Sequence, residues 1–112
     1  MKTIRIQSES AAIGMRIRDI LYQAGYSDIS VSDLSAVSAE RQNTLLVIYA
    51  KTRISDVMQR FAACGNPVIL LLNPDSYALY FDRARHAGIT LLLMPVAPYM
   101  LLEAAEKLTV IS

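Results

Sequence analysis

The sequence predicts an α/β domain whose parallel sheet is covered by helices on both faces. Three observations carry this. Short apolar runs alternate with stretches of helical spacing along the whole chain. The runs "TLLVIY", "VILLL" and "ITLLLM" are continuous rather than alternating, as in strands buried on both faces. Gly25, Gly65 and Gly88 each follow a helical stretch, where a left-handed C-terminal cap belongs.

The elements follow in order. "TIRIQ" alternates and reads as the first strand. Residues 11–24 predict a helix with Ile13, Ile17, Ile20, Leu21 and Ala24 inward and Arg16, Arg18 and Gln23 outward. "ISVS" is a short edge strand, and residues 34–41 a short helix. "TLLVIY" is the third strand. Residues 53–64 then form a helix with Ile54, Val57, Met58 and Phe61 inward. "VILLL" leads to a helix over 75–87, started by Pro74 and Asp75, with Tyr77, Phe81 and Ala84 inward. "ITLLLM" is the fifth strand. The last helix begins after Pro98 and carries Leu101, Ala104, Ala105 and Leu108. Strands alternating with helices imply right-handed crossovers. The simplest arrangement is a doubly wound, flavodoxin-like sheet in strand order 2-1-3-4-5.

Bulk properties narrow the function. A chain of 112 residues with 54% apolar and 19% charged residues suits one domain, 1–112. A formal charge of +1 supplies no global field for nucleic acid or an acidic membrane. The start "MKTIRIQSES" has no apolar signal-peptide core, and two prolines interrupt the longest apolar stretch. The expectation is a cytoplasmic protein with no membrane partner. The single cysteine, Cys64, excludes an internal disulfide and reads as a small helix-end side chain.

In a doubly wound sheet the pocket lies at the carboxyl ends of the strands. Those ends are Gln7, Ser8 and Glu9; Tyr49 and Ala50; Leu72 and Asn73; Met94 and Pro95. The segments "IRDILYQAGY", "NPVILLLN", "RARHAGI" and "MPVAPYMLLEAAEKL" stand in the order and spacing of one known family. On them the whole chain resembles the receiver domain of two-component response regulators. The resemblance implies a phosphoryl-accepting aspartate where Tyr49 stands. It implies an acidic Mg²⁺-binding pair at Ser8 and Glu9, a Ser or Thr at Leu72 and a lysine at Met94. Only Glu9 is chemically similar to its counterpart. Mg²⁺ needs hard oxygen ligands, and phosphoryl transfer needs charge stabilisation at the equatorial oxygens. One phenol and two apolar side chains supply neither.

The resemblance therefore implies a degenerate, phosphorylation-independent receiver acting as a regulatory and protein-interaction domain in signal transduction, transcription or antitermination control. It is not expected to be an enzyme. No catalytic residue, metal site or cofactor is expected. Its partner would be a protein, or a covalently linked effector domain that binds DNA or RNA, and the chain is compatible with being a fragment of such a regulator. The alternative is a small-molecule sensor using the vacated pocket, with Ser8, Glu9, Tyr49 and Asn73 around apolar walls. Within it, Tyr49 is expected to bond Glu9 or Asn73.

Other signals read as structure. His86 is a helix-end histidine without partners at metal or triad spacing. Ser8, Glu9 and Ser10 read as a loop with a helix start. Lys51 and Arg53 read as solvated loop charges, or as holding an anion near a helix start. No GxGxxG, GxxxxGK[ST] or GxSxG motif occurs. Finally, a homodimer is expected through the helix after strand four, the fifth strand and the last helix. Leu79, Arg83, His86, Met100, Glu103 and Lys107 are its face, with Arg83 of one chain opposite Glu103 of the other.

Overall fold

In the computed structural model, residues 3–34, 44–62 and 65–110 are described. Their strands are β1 (Thr3–Ser8), β2 (Ile29–Ser32), β3 (Thr44–Tyr49), β4 (Val68–Leu72) and β5 (Thr90–Leu93). They form one parallel sheet in the order β2-β1-β3-β4-β5, the order the alternating pattern predicts. The helices are α1 (Ala11–Gln23), α2 (Ile54–Phe61), α3 (Pro74–His86) and α4 (Pro98–Val110). The helix expected over 34–41 lies outside the described residues except for Leu34, and Cys64 also lies outside them.

Every residue of β3 and β4 is buried, which is why these runs are continuously apolar. On one face Ile4, Ile6, Leu45, Val47, Ile69 and Leu71 pack with Ile17 and Leu21 of α1 and Leu101 and Ala105 of α4. On the other, Leu46, Ile48, Leu70 and Leu72 pack with Ile54, Val57, Met58 and Phe61 of α2 and Ala84 of α3. The two sheet edges differ. β2 presents Ser30 and Ser32 to solvent, whereas β5 leaves Leu93 47% exposed.

The inward stripes of α2 and α4 are as predicted, with Ala104 and Leu108 half-buried beside Leu101 and Ala105. Two details of the others are corrected. Ala24 is not part of the inner stripe of α1: it is the exposed C-cap, and Gly25 after it takes φ 104°. Phe81 does not face inward. It is 43% exposed, while Tyr77, Tyr80, Ala84 and Ala87 face the core. The reason is amphipathic: Tyr80 buries its ring and keeps its hydroxyl 3.1 Å from Ser55 Oγ on α2. That turns α3 toward α2 and leaves Phe81 against the Tyr77 ring, centroids 5.8 Å apart.

α1 comes closest to the sheet at Gly14. A Cβ there would stand 3.1 Å from Val31 Cγ1 and 3.2 Å from Ser8 Cβ. The glycine lets the helix settle onto the end of β1, next to the strand termini that form the site.

Candidate functional site

The strand ends gather along one rim of the sheet. Ser8 pairs with Tyr49 in register, and the Glu9 N–H donates to the Tyr49 carbonyl at 3.1 Å. Leu72 and Leu93 pair at the far side, and the Met94 N–H donates to the Leu72 carbonyl at 2.9 Å. The Met94–Pro95 peptide is cis.

Tyr49 is 4% exposed. Its phenol oxygen accepts from Asn73 Nδ2 at 3.2 Å. Of the two partners expected for Tyr49, the side-chain contact is thus with Asn73. Leu72 is fully buried on the opposite face of the sheet. Met94 is half-buried against the α1–α4 side. Tyr49 and Leu72 thus fill the ends of the two central strands with apolar mass.

Ser8 and Ser10 behave as the loop and helix start that their types suggest. Ser8 Oγ donates to the Ser10 carbonyl at 2.6 Å and accepts from the Ser10 N–H at 3.1 Å. Ser10 Oγ accepts from the Ile13 N–H at 3.3 Å and caps α1.

Glu9 crosses to the β3–α2 loop. Its Oε2 accepts from the backbone N–H groups of Lys51 (2.5 Å), Thr52 (2.8 Å) and Arg53 (3.1 Å). Its Oε1 accepts from the Thr52 hydroxyl at 2.5 Å. Burial alone would raise this carboxyl. The Thr52 hydroxyl and the N–H groups of Lys51, Arg53 and Thr52 outweigh burial and hold it at about 2, below the usual 4.5. The anion anticipated near Lys51 and Arg53 is therefore Glu9 itself, held through their backbones. The Arg53 guanidinium instead pairs with Asp56 at 3.0 Å.

The expected ligand set is divided. A cavity of about 390 Å³ is lined by Ser8, Glu9, Ala11, Met15, Val31, Ser32 and Asp33, between the end of β1 and the β2 edge. Tyr49 and Asn73 do not line it. The residues expected at a dimer face differ in their surroundings. Leu79 is 76% exposed and Met100 45%; His86, Glu103 and Lys107 are exposed. Arg83, also exposed, donates to Ser55 Oγ at 3.4 Å and so leans toward α2. His86 Nδ1 is bonded to the Asp82 carbonyl at 2.8 Å, the helix-end arrangement expected of it.

Two residues that shape the site were not singled out from sequence. Gly14 had a signal, a glycine inside an apolar helical stretch, where it costs helix propensity unless packing requires it. Thr52 had none. Among the described residues, no group of three or more His, Cys, Asp or Glu side chains could hold a metal ion, and no helix is long and apolar enough to cross a membrane.

The crystal structure of a response regulator receiver protein from Burkholderia phymatum superimposes on this chain with a TM-score of 0.69. The two share 19% sequence identity over 100% of this chain and 98% of that one. The fold is that of a receiver. No protein-family model and no curated protein sequence matches the chain.

Proposed function

We propose that this is a receiver-fold regulatory domain that works without phosphorylation and acts through protein contacts. The observation that carries this reading is the rim itself. Tyr49 blocks the end of β3, 4% exposed and bonded to Asn73. Glu9, the acid at the end of β1, has its carboxylate committed to the β3–α2 loop. Phosphoryl transfer would need an acceptor carboxylate, metal ligands and a cation, and these side chains provide no such set. The test is incubation with acetyl phosphate and Mg²⁺ followed by intact-mass measurement. No adduct is expected; a stoichiometric phosphate adduct overturns the reading.

Contact is then the means of signalling, and a second copy is the partner we favour. Phe81 (43% exposed), Leu93 (47%), Tyr99 (69%) and Met100 (45%) are carried by α3, the edge strand β5 and the start of α4. Singly such residues mean little; grouped at one free sheet edge they favour association. With Arg83 turned toward α2, the cation suited to meet Glu103 of a second chain is Arg85. It is exposed and one turn after Phe81 on the same side of α3. Sedimentation at micromolar concentration should find a dimer. Arg85→Glu and Glu103→Arg should each weaken it, and the double change should restore part of the loss. A clean monomer rejects the pairing. An effector linked to or bound by this domain would then read the pairing.

A second reading, small-molecule sensing, is favoured by the cavity beside Ser8, Met15 and Val31. A saturable rise in melting temperature in a metabolite screen would support it, and Gly14→Val, which projects toward Ser8 and Val31, should abolish that rise.

A further inference from the structure

We propose that Glu9 is an internal ligand of the β3–α2 loop: a latch whose carboxylate ties the β1–α1 turn to the start of α2, replaceable by an external carboxylate but not by chloride. Four contacts define the seat, three from the successive N–H groups of Lys51, Thr52 and Arg53 and one from the Thr52 hydroxyl. Successive N–H groups converging on one point form a concave nest for an anion. The contacts fall on both oxygens, so a planar, two-oxygen group is what the seat takes.

A second observation ties this ligand to the start of α2. α1 is capped locally by Ser10. α2 has Arg53 at its N-cap position, with no side-chain cap bond. The first N–H groups of any helix lack intrahelical partners and require them from elsewhere. For α2 one of them, the Arg53 N–H at the N-cap position, is taken by Glu9, 44 positions earlier in the chain, and the Lys51 and Thr52 N–H groups that share the carboxylate belong to the loop just before the helix. The helix is only eight residues long, too short to persist on propensity alone. It nevertheless must deliver Ile54, Val57, Met58 and Phe61 to the core.

The delivering side is braced too. The Glu9 N–H is bonded to the Tyr49 carbonyl at 3.1 Å, and Ser8 Oγ bridges the Ser10 N–H and carbonyl. The carboxylate therefore reaches its seat from a turn already fixed, and little freedom is lost in placing it. The two loops at the end of the sheet are joined as one body. This latch holds whether or not the domain pairs with a second copy.

The test follows amide hydrogen exchange at Lys51, Thr52 and Arg53 in the wild-type chain and in Glu9→Ala. That substitution removes a fragment of the size of acetate. Exchange at these three amides should accelerate by about tenfold or more, the scale of losing a hydrogen bond to a charged group, while the amide of Tyr26 is unchanged. Sodium acetate should restore slow exchange saturably, and sodium chloride at equal ionic strength should not. Unchanged exchange in Glu9→Ala overturns the latch, as does equal restoration by chloride. Should Glu9→Ala fail to fold, Glu9→Gln keeps the shape and removes the charge. Acceleration confined to the same three amides supports the latch; none, or acceleration spread over the chain, overturns it.

Discussion

Replacing Gly14 by alanine sets two known effects against each other. In an open helix interior the change gains about 1 kcal/mol of helix propensity. Here the new methyl would meet Val31 Cγ1 at 3.1 Å and Ser8 Cβ at 3.2 Å, against an ordinary carbon–carbon contact of roughly 3.5–4.0 Å. Ser8 cannot yield readily, since it is paired with Tyr49 of β3 and its hydroxyl is tied to Ser10. Val31 lies on the edge strand and is stiff at χ1. Relief comes mainly from lifting α1 by a few tenths of an ångström, an overpacking cost of about 1–3 kcal/mol. The net expectation is a destabilisation of about 1 kcal/mol for Gly14→Ala. For Gly14→Val, whose γ-carbons extend into the same contact, it is about 3 kcal/mol. Urea denaturation with a shared m-value reads both through the midpoint. Adding Val31→Ala should recover part of the Gly14→Ala loss, a coupling that distant sites would not show. If Gly14→Ala instead stabilises by the full propensity gain, the helix does not press on the sheet at this point and the reasoning fails.

Three further outcomes are expected. Glu9 has a lowered folded-state pKa, so its stabilisation is complete above 4.5 and is lost as pH falls through about 2. The shift alone would set a ceiling of ~3 kcal/mol, but the carboxylate is partly exposed, so the advantage of wild type over Glu9→Gln at pH 7 should be about 1–2 kcal/mol; a gap unchanged between pH 6 and pH 2, measured by urea unfolding, contradicts it. Tyr49→Phe removes the bond to Asn73 and should cost about 1 kcal/mol in the same assay, and a loss of several would mean that the phenol anchors a wider network. Tyr49→Asp places a carboxylate in a buried position; it should destabilise by about 2 kcal/mol or more and still take no phosphate from acetyl phosphate, because Leu72 and Met94 offer it no polar or cationic partner.

The sheet was legible in the sequence because each strand carries its burial in its own composition. "VILLL" is continuously apolar and of strand length, as suits a strand covered on both faces, and Gly25 and Gly88, both at positive φ, stand one residue past the helix caps Ala24 and Ala87. The rim was legible by position and only partly by contact. Tyr49, Leu72 and Met94 fall at or just beyond strand ends, but the partner of Glu9 lies more than 40 residues away in a loop with no local pattern to announce it. Phe81 was misjudged because spacing fixes a helix face only to within a turn. What chose between Phe81 and Tyr80 was a hydroxyl able to reach Ser55 on another helix, and helical periodicity does not encode that.

The unlike edges of the sheet bear on how far assembly can go. An exposed strand edge is a template, and a molecule with two equivalent ones can add copies without end. Here the exposed residues of β2 are Ser30 and Ser32, whereas that of β5 is Leu93. Two copies joined about a two-fold axis at β5 would hide both adhesive borders and leave only serine-lined ones outside. In the proposed dimer the two-fold contact itself would use up the apolar borders, so a further copy would meet only polar ones, where no apolar patch rewards association.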